Sequence, residues 1–458
     1  MLQNETIAAI ATSMQQAGLG IIRISGPEAE AIAEKVFKSK SGKCLSKCES
    51  HTIHYGFIYD GDVLIDEVML LIMRAPHSFT SEDTIEIDCH GGILVMNRIL
   101  ETVIKNGARP AEPGEFTKRA FLNGRIDLSK AEAVMDLIHS KNEFAMQNSI
   151  GQIRGSLYEK IKTAREKMLF EIAFIESALD DPEHISLDGY PSRLEETLLG
   201  IEQELDKLSD SFQIGKLLKE GIKTVIVGKP NVGKSSLLNI LVGEERAIVT
   251  EIAGTTRDVL EETIMLHGIG LQILDTAGIR DTDDTVEKIG VERAKQYAQN
   301  ADLLLYIVDA SIPLDENDAD IMKMIENREA IILLNKTDLK NVVTEDDLKK
   351  KINKTVISIS AKENTGIDLF EQELQRMFFQ KEISYNDEVY ITNIRQKQAI
   401  EEAKESIEQV IQSIHAKMPE DFYSIDLMNA YACLGKIIGE DVDEDLMNEI
   451  FSKFCMGK

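Results

Sequence analysis

Between Gly228 and Lys362 the chain carries five short motifs in a fixed order, and that order demands a strand, loop and helix scaffold built around a nucleotide. The first, Gly-Lys-Pro-Asn-Val-Gly-Lys-Ser-Ser at 228–236, follows the apolar run 224–227 and precedes Leu237-Leu-Asn-Ile-Leu. This is the setting a phosphate-cradling P-loop requires. Backbone N–H groups through Asn231, Val232, Gly233, Lys234, Ser235 and Ser236 can wrap phosphate oxygens. Lys234 reaches the β- and γ-phosphates, Ser235 offers its hydroxyl to Mg²⁺, and the helix N-terminus adds a favourable dipole. Alone, this motif does not separate ATP from GTP.

Asn335-Lys336-Thr337-Asp338, at the end of the apolar run 331–334, makes that separation. Asp338 can accept from guanine's N1–H and amino group. Adenine offers no such donor pair, so with ATP the carboxylate would be desolvated and unpaired, at a cost of roughly 1–3 kcal/mol. Asn335 and Lys336 fix the loop and cover the base. Ser360-Ala361-Lys362 follows another β-rich run, 355–359, and suits a backbone N–H contact to the guanine oxygen. Asp275-Thr276-Ala277-Gly278 ends the run 271–274, placing Asp275 for the metal and the Gly278 amide for the γ-phosphate. Thr255-Thr256 lies between as a switch threonine pair. Together these point to a guanine-nucleotide hydrolase.

Hydrolysis needs a group that orients the attacking water and positive charge on the transition state. The residue after Gly278 is Ile279, which cannot orient water, so a polar group must come from elsewhere. Asp281, Asp283, Asp284 and Glu287 follow, either as a solvated acidic loop or as the source of that group.

With 458 residues, 43% apolar and 28% charged, the chain is expected to form two or three soluble domains. No apolar run approaches the roughly 20 residues that span a bilayer, and the N-terminus lacks a basic signal start, so a cytoplasmic protein is expected. Five cysteines without paired metal-type spacing suggest reduced thiols, with zinc at Cys44 and Cys48 as an alternative. The net charge of −28 opposes simple nucleic-acid binding, so any RNA contact must be local or borrowed from a basic partner.

Short β-rich runs at 19–25, 51–59, 63–73 and 84–88 mark residues 1–118 as an α/β domain. Residues 119–215 read as helical, with a capping box at Ser129 and Glu132 and a stripe formed by Leu157, Ile161, Ala164, Met168, Ile172, Ile175 and Leu179, ended by Pro182. Residues 216–380 form the GTPase unit. The helical pattern resumes over 381–458 with Leu427, Tyr431, Leu434 and Ile438. The expected fold is multidomain α/β plus α, with a Ras-like P-loop domain inserted between two helical stretches.

Four further features lie outside the GTPase unit: Arg23 in an apolar strand, His90-Gly-Gly92, the segment Pro113 to Arg125, and the terminal Phe454-Cys-Met-Gly-Lys458. Singly, each has an ordinary structural explanation. Together with the P-loop, the segment Ile248 to Asp258 and Val286-Glu-Lys-Ile-Gly, they resemble the MnmE (TrmE) family of tRNA-modifying GTPases over essentially the whole chain. The resemblance implies that Glu287 positions the water. It implies a potassium ion held by Asn231, Thr250 and the Ile252 and Thr255 backbones, with Thr256 on Mg²⁺. It also implies an N-terminal domain that binds a one-carbon tetrahydrofolate, in the 5-formyl or methylene form, through Arg23, Glu86, Arg125 and Lys458, with Cys455 nearby as a candidate nucleophile. Glu86 suits the pterin N–H groups and the cations suit carboxylates.

The family acts as a homodimer with the flavoprotein MnmG, which brings FAD, in a heterotetramer that modifies the wobble uridine of certain tRNAs at carbon 5. Two departures stand out: Ser13 to Gly18 replaces a proline- and glycine-rich turn, and Met456 fills a position often held by isoleucine or leucine. Two other readings remain at this level, an Era-type ribosome-assembly switch and a folate-binding protein in which GTP is structural.

Overall fold

The protein is described by a computed structural model over residues 5–244, 262–266, 269–274, 299, 301–378, 389–440, 442, 444–454 and 457. Two compact units divide it. The first takes Met1–Met135, Gln152–Leu194 and Glu405–Lys458, and the second takes Asp136–Gly151 and Glu195–Lys404.

In the first unit, strands β1 (Ile7–Ile10), β2 (Gly20–Ser25), β3 (Phe37–Ser39), β4 (Thr52–Asp60), β5 (Val63–Met73), β6 (Thr84–Cys89) and β7 (Arg109–Pro110) form one sheet in the order β3-β4-β5-β6-β2-β1-β7. Neighbours are antiparallel except β1 and β7. Successive side chains point to opposite faces of a strand, and β5 shows the consequence: Val68, Leu70 and Ile72 are buried, whereas Glu67 and Met69 are exposed. The buried face is covered by helices Ala29–Val36 and Ile93–Lys105, whose Ile32, Ala33, Met96, Ile99 and Val103 join Ile22, Ile24, Ile58, Ile85 and Ile87 in one core. On the opposite face Arg23 stands beside Glu86 in the β2/β6 register, and Glu86 beside Leu71 in the β5/β6 register.

Helix Ser156–Asp180 buries Leu157, Ile161, Ala164, Met168, Ile172 and Ile175 as expected. Its last turn advances by three residues, not four, so Ala178 is buried and Leu179 is exposed. This helix packs on helix Asp421–Ile438, where Leu427, Leu434 and Ile438 are buried. Tyr431 is half-buried there, beneath the Arg165 guanidinium at 4.0 Å. The expected capping box at Ser129 is corrected. The helix runs Leu128–Ile138 with Ser129 and Glu132 buried inside it, and the Asp127 carboxylate accepts from the Lys130 N–H at 3.1 Å. Asp127 stands just before the helix, where its carboxylate reaches that free N–H, whereas Ser129 already lies inside the first turn.

The second unit contains β8 (Ile222–Val227), β9 (Glu262–Leu266), β10 (Ile269–Leu274), β11 (Leu303–Asp309), β12 (Ala330–Asn335) and β13 (Thr355–Ser358), in the order β13-β12-β11-β8-β10-β9. All pairs are parallel except β9 with β10. Every residue of β11 and β12 is buried, as parallel strands covered on both faces require. Leu237, Leu241, Ile367, Phe370 and Leu374 pack one face, and Met322, Ile325 and Leu348 the other. The result is a doubly wound, Ras-like α/β unit. β8 lies between β10 and β11 where the strand order reverses, and in such sheets ligands bind beyond the carboxyl ends of the strands at that point.

Candidate guanine-nucleotide site and folate pocket

At the carboxyl end of β8 the chain turns through Gly228–Gly233 into helix Lys234–Glu244. Three residues of this loop have left-handed backbones: Gly228 (φ 154°), Asn231 (φ 60°) and Gly233 (φ 99°). A Cβ on Gly228 would meet the Ile307 carbonyl at 2.6 Å, and one on Gly233 would meet Asn335 Nδ2 at 2.3 Å. Both positions are therefore closed to any side chain. The Lys234 ammonium donates to the carbonyls of Gly228 (2.7 Å) and Lys229 (3.0 Å) on the inner side of the loop. Ser235 and Ser236 follow in the first helical turn, both exposed.

The base-reading loops are tied to the P-loop by side chains. Asn335, 1% exposed, donates through Nδ2 to the Val232 carbonyl at 2.8 Å, and its Oδ1 accepts from the Ala361 N–H at 2.9 Å. Lys336, itself left-handed at φ 63°, donates to the Asn231 carbonyl at 2.7 Å and pairs with Asp309 at 2.6 Å. The Ser360 hydroxyl donates to Asp338 Oδ1 at 2.7 Å, aligning a carboxylate that is otherwise exposed. Lys362 is exposed beyond it. Thus Asn231 to Ser236, Asn335, Lys336, Asp338, Ser360 and Ala361 converge at the carboxyl ends of β8, β12 and β13.

Two supports escape a reading of the sequence. Asp309 ends β11 beneath Lys336. Burial pushes its carboxyl up, but Lys336 and the Ser311 hydroxyl and N–H outweigh that and hold it below the usual carboxylate range. Lys229 is the second support. Its ammonium donates to Asp318 at 2.7 Å and to Asp315 at 3.0 Å, the two residues that form the capping box of helix Glu316–Ile325. The buried Asp318 also accepts from the Tyr306 hydroxyl at 2.7 Å. Burial disfavours the charged lysine, and the two carboxylates more than offset it, raising its pKa. No motif marks these acids, because the pairs join residues far apart in sequence.

In the first unit Arg23 donates through Nε to Glu86 at 2.7 Å and through Nη1 to the Gly457 carbonyl at 3.1 Å. Its guanidinium lies 5.8 Å from the centre of the Phe79 ring, and that of Arg125 lies 5.0 Å from the same ring. Three of the four expected folate residues therefore gather around Phe79, and Gly457 brings the terminal segment to the same place. A Cβ at Gly114 would meet the Phe451 carbonyl at 2.4 Å, so that turn is also shaped by the terminal segment. Nearby, Arg119 binds Glu82 and Glu115, and Arg109 binds Glu115. Burial pushes the Glu115 carboxyl up, but the two arginines and the Glu112 N–H hold it below its ordinary value.

Thr250, Ile252, Thr255, Thr256, Asp275, Thr276, Ala277, Gly278, Glu287, Cys455 and Lys458 lie outside the described residues. Among the described residues, no group of three His, Cys, Asp or Glu side chains is placed to hold a metal, so Cys44 and Cys48 gain no further zinc ligand. No described helix is long and apolar enough to cross a membrane.

Comparison with known proteins extends the likeness beyond the nucleotide motifs. The family model described as "GTP-binding protein TrmE N-terminus" matches residues 6–125, and the one described as "MnmE helical domain" matches residues 128–455. The tRNA modification GTPase MnmE of Lachnoclostridium phytofermentans is 57% identical over 458 residues, covering 100% of both chains. Those of Acetivibrio thermocellus and Bacillus subtilis are 49% and 45% identical, each covering 99% or more of this chain and 100% of its own length.

Proposed function

The chain belongs to the MnmE family of tRNA modification GTPases, and from that footing we propose that its GTP hydrolysis requires potassium and drives addition of an aminomethyl or carboxymethylaminomethyl group to carbon 5 of the wobble uridine in certain tRNAs. The observation that carries the nucleotide reading is Asn335, which joins the P-loop to the loop of Ala361 while Ser360 aligns Asp338. That alignment leaves a carboxylate for the two donors of guanine.

Lys234 and the first turn of its helix meet the phosphates. Mg²⁺, which neutralises charge on the β- and γ-oxygens, would be held by Ser235 and Thr256, with Asp275 and Gly278 completing the phosphate end. Potassium would add positive charge beside the same phosphates, held by Asn231, Thr250 and the backbones of Ile252 and Thr255. Asn231 supports this: its side chain is exposed at the tip of a left-handed turn and has no hydrogen-bond partner among the described residues. Glu287 orients the attacking water, a task Ile279 cannot perform.

The one-carbon unit comes from a tetrahydrofolate, 5-formyl or methylene, bound by Arg23, Glu86, Arg125 and Lys458. Two features support this pocket. Among the described residues the Arg125 guanidinium has no carboxylate partner, although the chain carries an excess of acids, and the side chain of Glu86 binds only Arg23. Cys455 lies in the same terminal segment as a candidate nucleophile. The protein works as a homodimer through its N-terminal domain, where Ile53 and Met69 are exposed on the open sheet face. It acts with the flavoprotein MnmG, which supplies FAD. The division into residues 1–118, 119–215, 216–380 and 381–458 belongs to the same proposal. An Era-type switch is not favoured, because relatives named for tRNA modification match the chain from end to end.

The test is GTP turnover in potassium against sodium for the wild type, Asn231→Ala and Glu287→Ala. A large potassium stimulation that both variants lose supports the mechanism. Equal rates in the two salts remove the potassium ion from it.

A further inference from the structure

The chain holds 79 acidic and 51 basic residues, yet residues 35–48 contain five lysines and no acid. This segment contains β3, the edge strand of the first unit's sheet, and the turn that follows it. Lys38, Lys40, Lys43 and Lys47 are all exposed, and among the described residues none of the four has a carboxylate within ion-pair distance. Lys35, the fifth, donates to the Asn106 carbonyl. Of the two acids that flank the segment, Glu34 is occupied by the Leu45 N–H and Glu49 is exposed without an ion pair to any of the four lysines.

The lysines are also held in place. The Lys38 ammonium lies 4.2 Å from the centre of the Tyr59 ring and that of Lys40 lies 5.0 Å from Tyr55, contacts that orient a cation without neutralising it. Leu45, 2% exposed, anchors the turn in the core with Ile32 and Ala33, so Lys43 and Lys47 are carried around the sheet edge on a fixed backbone. Unpaired, preoriented lysines on an otherwise acidic molecule suit a polyanion whose charges repeat along a line. A nucleic-acid backbone has that property, and its affinity is set by such contacts and weakened by salt.

We propose that the lysine edge formed by Lys38, Lys40, Lys43 and Lys47 binds the phosphate backbone of the tRNA. The inference rests on the tRNA reading above and supplies the local basic surface that the net charge of −28 otherwise lacks. Edge lysines also serve to block strand pairing between molecules, and the test separates the two roles.

Binding of folded, fluorescently labelled tRNA to the full chain is measured between about 50 and about 200 mM salt. Three proteins are compared: the wild type, a variant with Lys38, Lys40, Lys43 and Lys47 changed to Gln, and a charge-matched variant with Lys323, Lys340, Lys350 and Lys351 changed to Gln. GTP turnover is the folding control for the second unit, and protection of the buried Cys89 from alkylation is the control for the first. The edge variant should bind at least about tenfold more weakly, with a salt slope shallower by two to four, while the matched variant stays near wild type. Equal affinity and slope in the edge variant and wild type overturn the inference, as does equal loss in both variants or an absence of wild-type binding at the lowest salt. The modification reading is scored separately, by the wobble-nucleoside content of tRNA from cells lacking the protein, so the two can fail independently.

Discussion

Asn335 and Val232 are 103 positions apart in sequence, yet the amide of one donates to the carbonyl of the other at 2.8 Å, and the same asparagine accepts from Ala361. One buried side chain thus sets the spacing between phosphate loop and base loop. Asn335→Ala removes both bonds and leaves a buried carbonyl and N–H unsatisfied, each at about 1–3 kcal/mol. Affinity for GDP and GTP should fall together by at least tenfold. Titration with a fluorescent guanine nucleotide measures this, and unchanged affinity would show that the two loops hold their spacing without Asn335.

Lys229 anchors the P-loop from outside, through Asp318 and Asp315, while the loop's inner carbonyls hold Lys234. Lys229→Met should raise the KM for GTP several-fold and leave kcat within about twofold, since the phosphate groups are positioned less often but the reacting groups are intact. Lys229→Arg, which keeps the charge, should recover most of the loss. A fall in kcat with unchanged KM would place Lys229 in the chemical step.

Much of this site was legible because its motifs are local. Val63 to Met73 is a β-rich run, and it forms β5 with those ends; Asn335 to Asp338 follows an apolar run, and it sits at the end of β12. What local patterns cannot convey is which distant groups brace them. Lys229 with Asp318 spans 89 positions, and Asp309 reads as an ordinary end to an apolar strand until Lys336 is seen above it. The miss at Ser129 has a different origin. Two cap-forming side chains stand two residues apart, and only the backbone decides which faces the free N–H groups. In the proposed folate pocket Arg23 stood out as a charge in an apolar strand, whereas Phe79 gave no signal, because an aromatic ring before Thr80 is as consistent with core as with a platform for two arginines.

Glu115 makes the first unit's stability depend on acid. Its carboxyl is buried between Arg109 and Arg119 and ionises below its ordinary value. The folded form therefore holds its proton less tightly than the unfolded form. The stabilisation is complete above the unfolded pKa and is lost as pH falls through the folded one. Glu115→Gln should destabilise the unit by about 1–3 kcal/mol at neutral pH, because the buried Arg119 and the half-buried Arg109 lose their shared carboxylate. The gap to wild type should narrow below the ordinary carboxylate range. Urea midpoints followed through amide exchange in β1 and β2 at several pH values would check this, and a gap independent of pH would remove Glu115 from the acid response.

The thiols divide by environment, and labelling should report it. Cys89 is 2% exposed, donates to the Gly20 carbonyl at 3.3 Å, and is pushed up to about 12 by burial and by Asp66. At pH 8 only about one molecule in ten thousand carries a Cys89 thiolate, and that sulfur is sealed from reagent. Cys44 is exposed within the lysine edge, between Lys43 and Lys47. In the native protein an alkylating reagent should therefore modify Cys44 within minutes and leave Cys89 intact for hours, whereas in denaturant both should react. Peptide mapping by mass spectrometry distinguishes the two sites. Early labelling of Cys89 would mean that the pairing of β2 with β6, and with it the register that sets Arg23 beside Glu86, opens readily in solution.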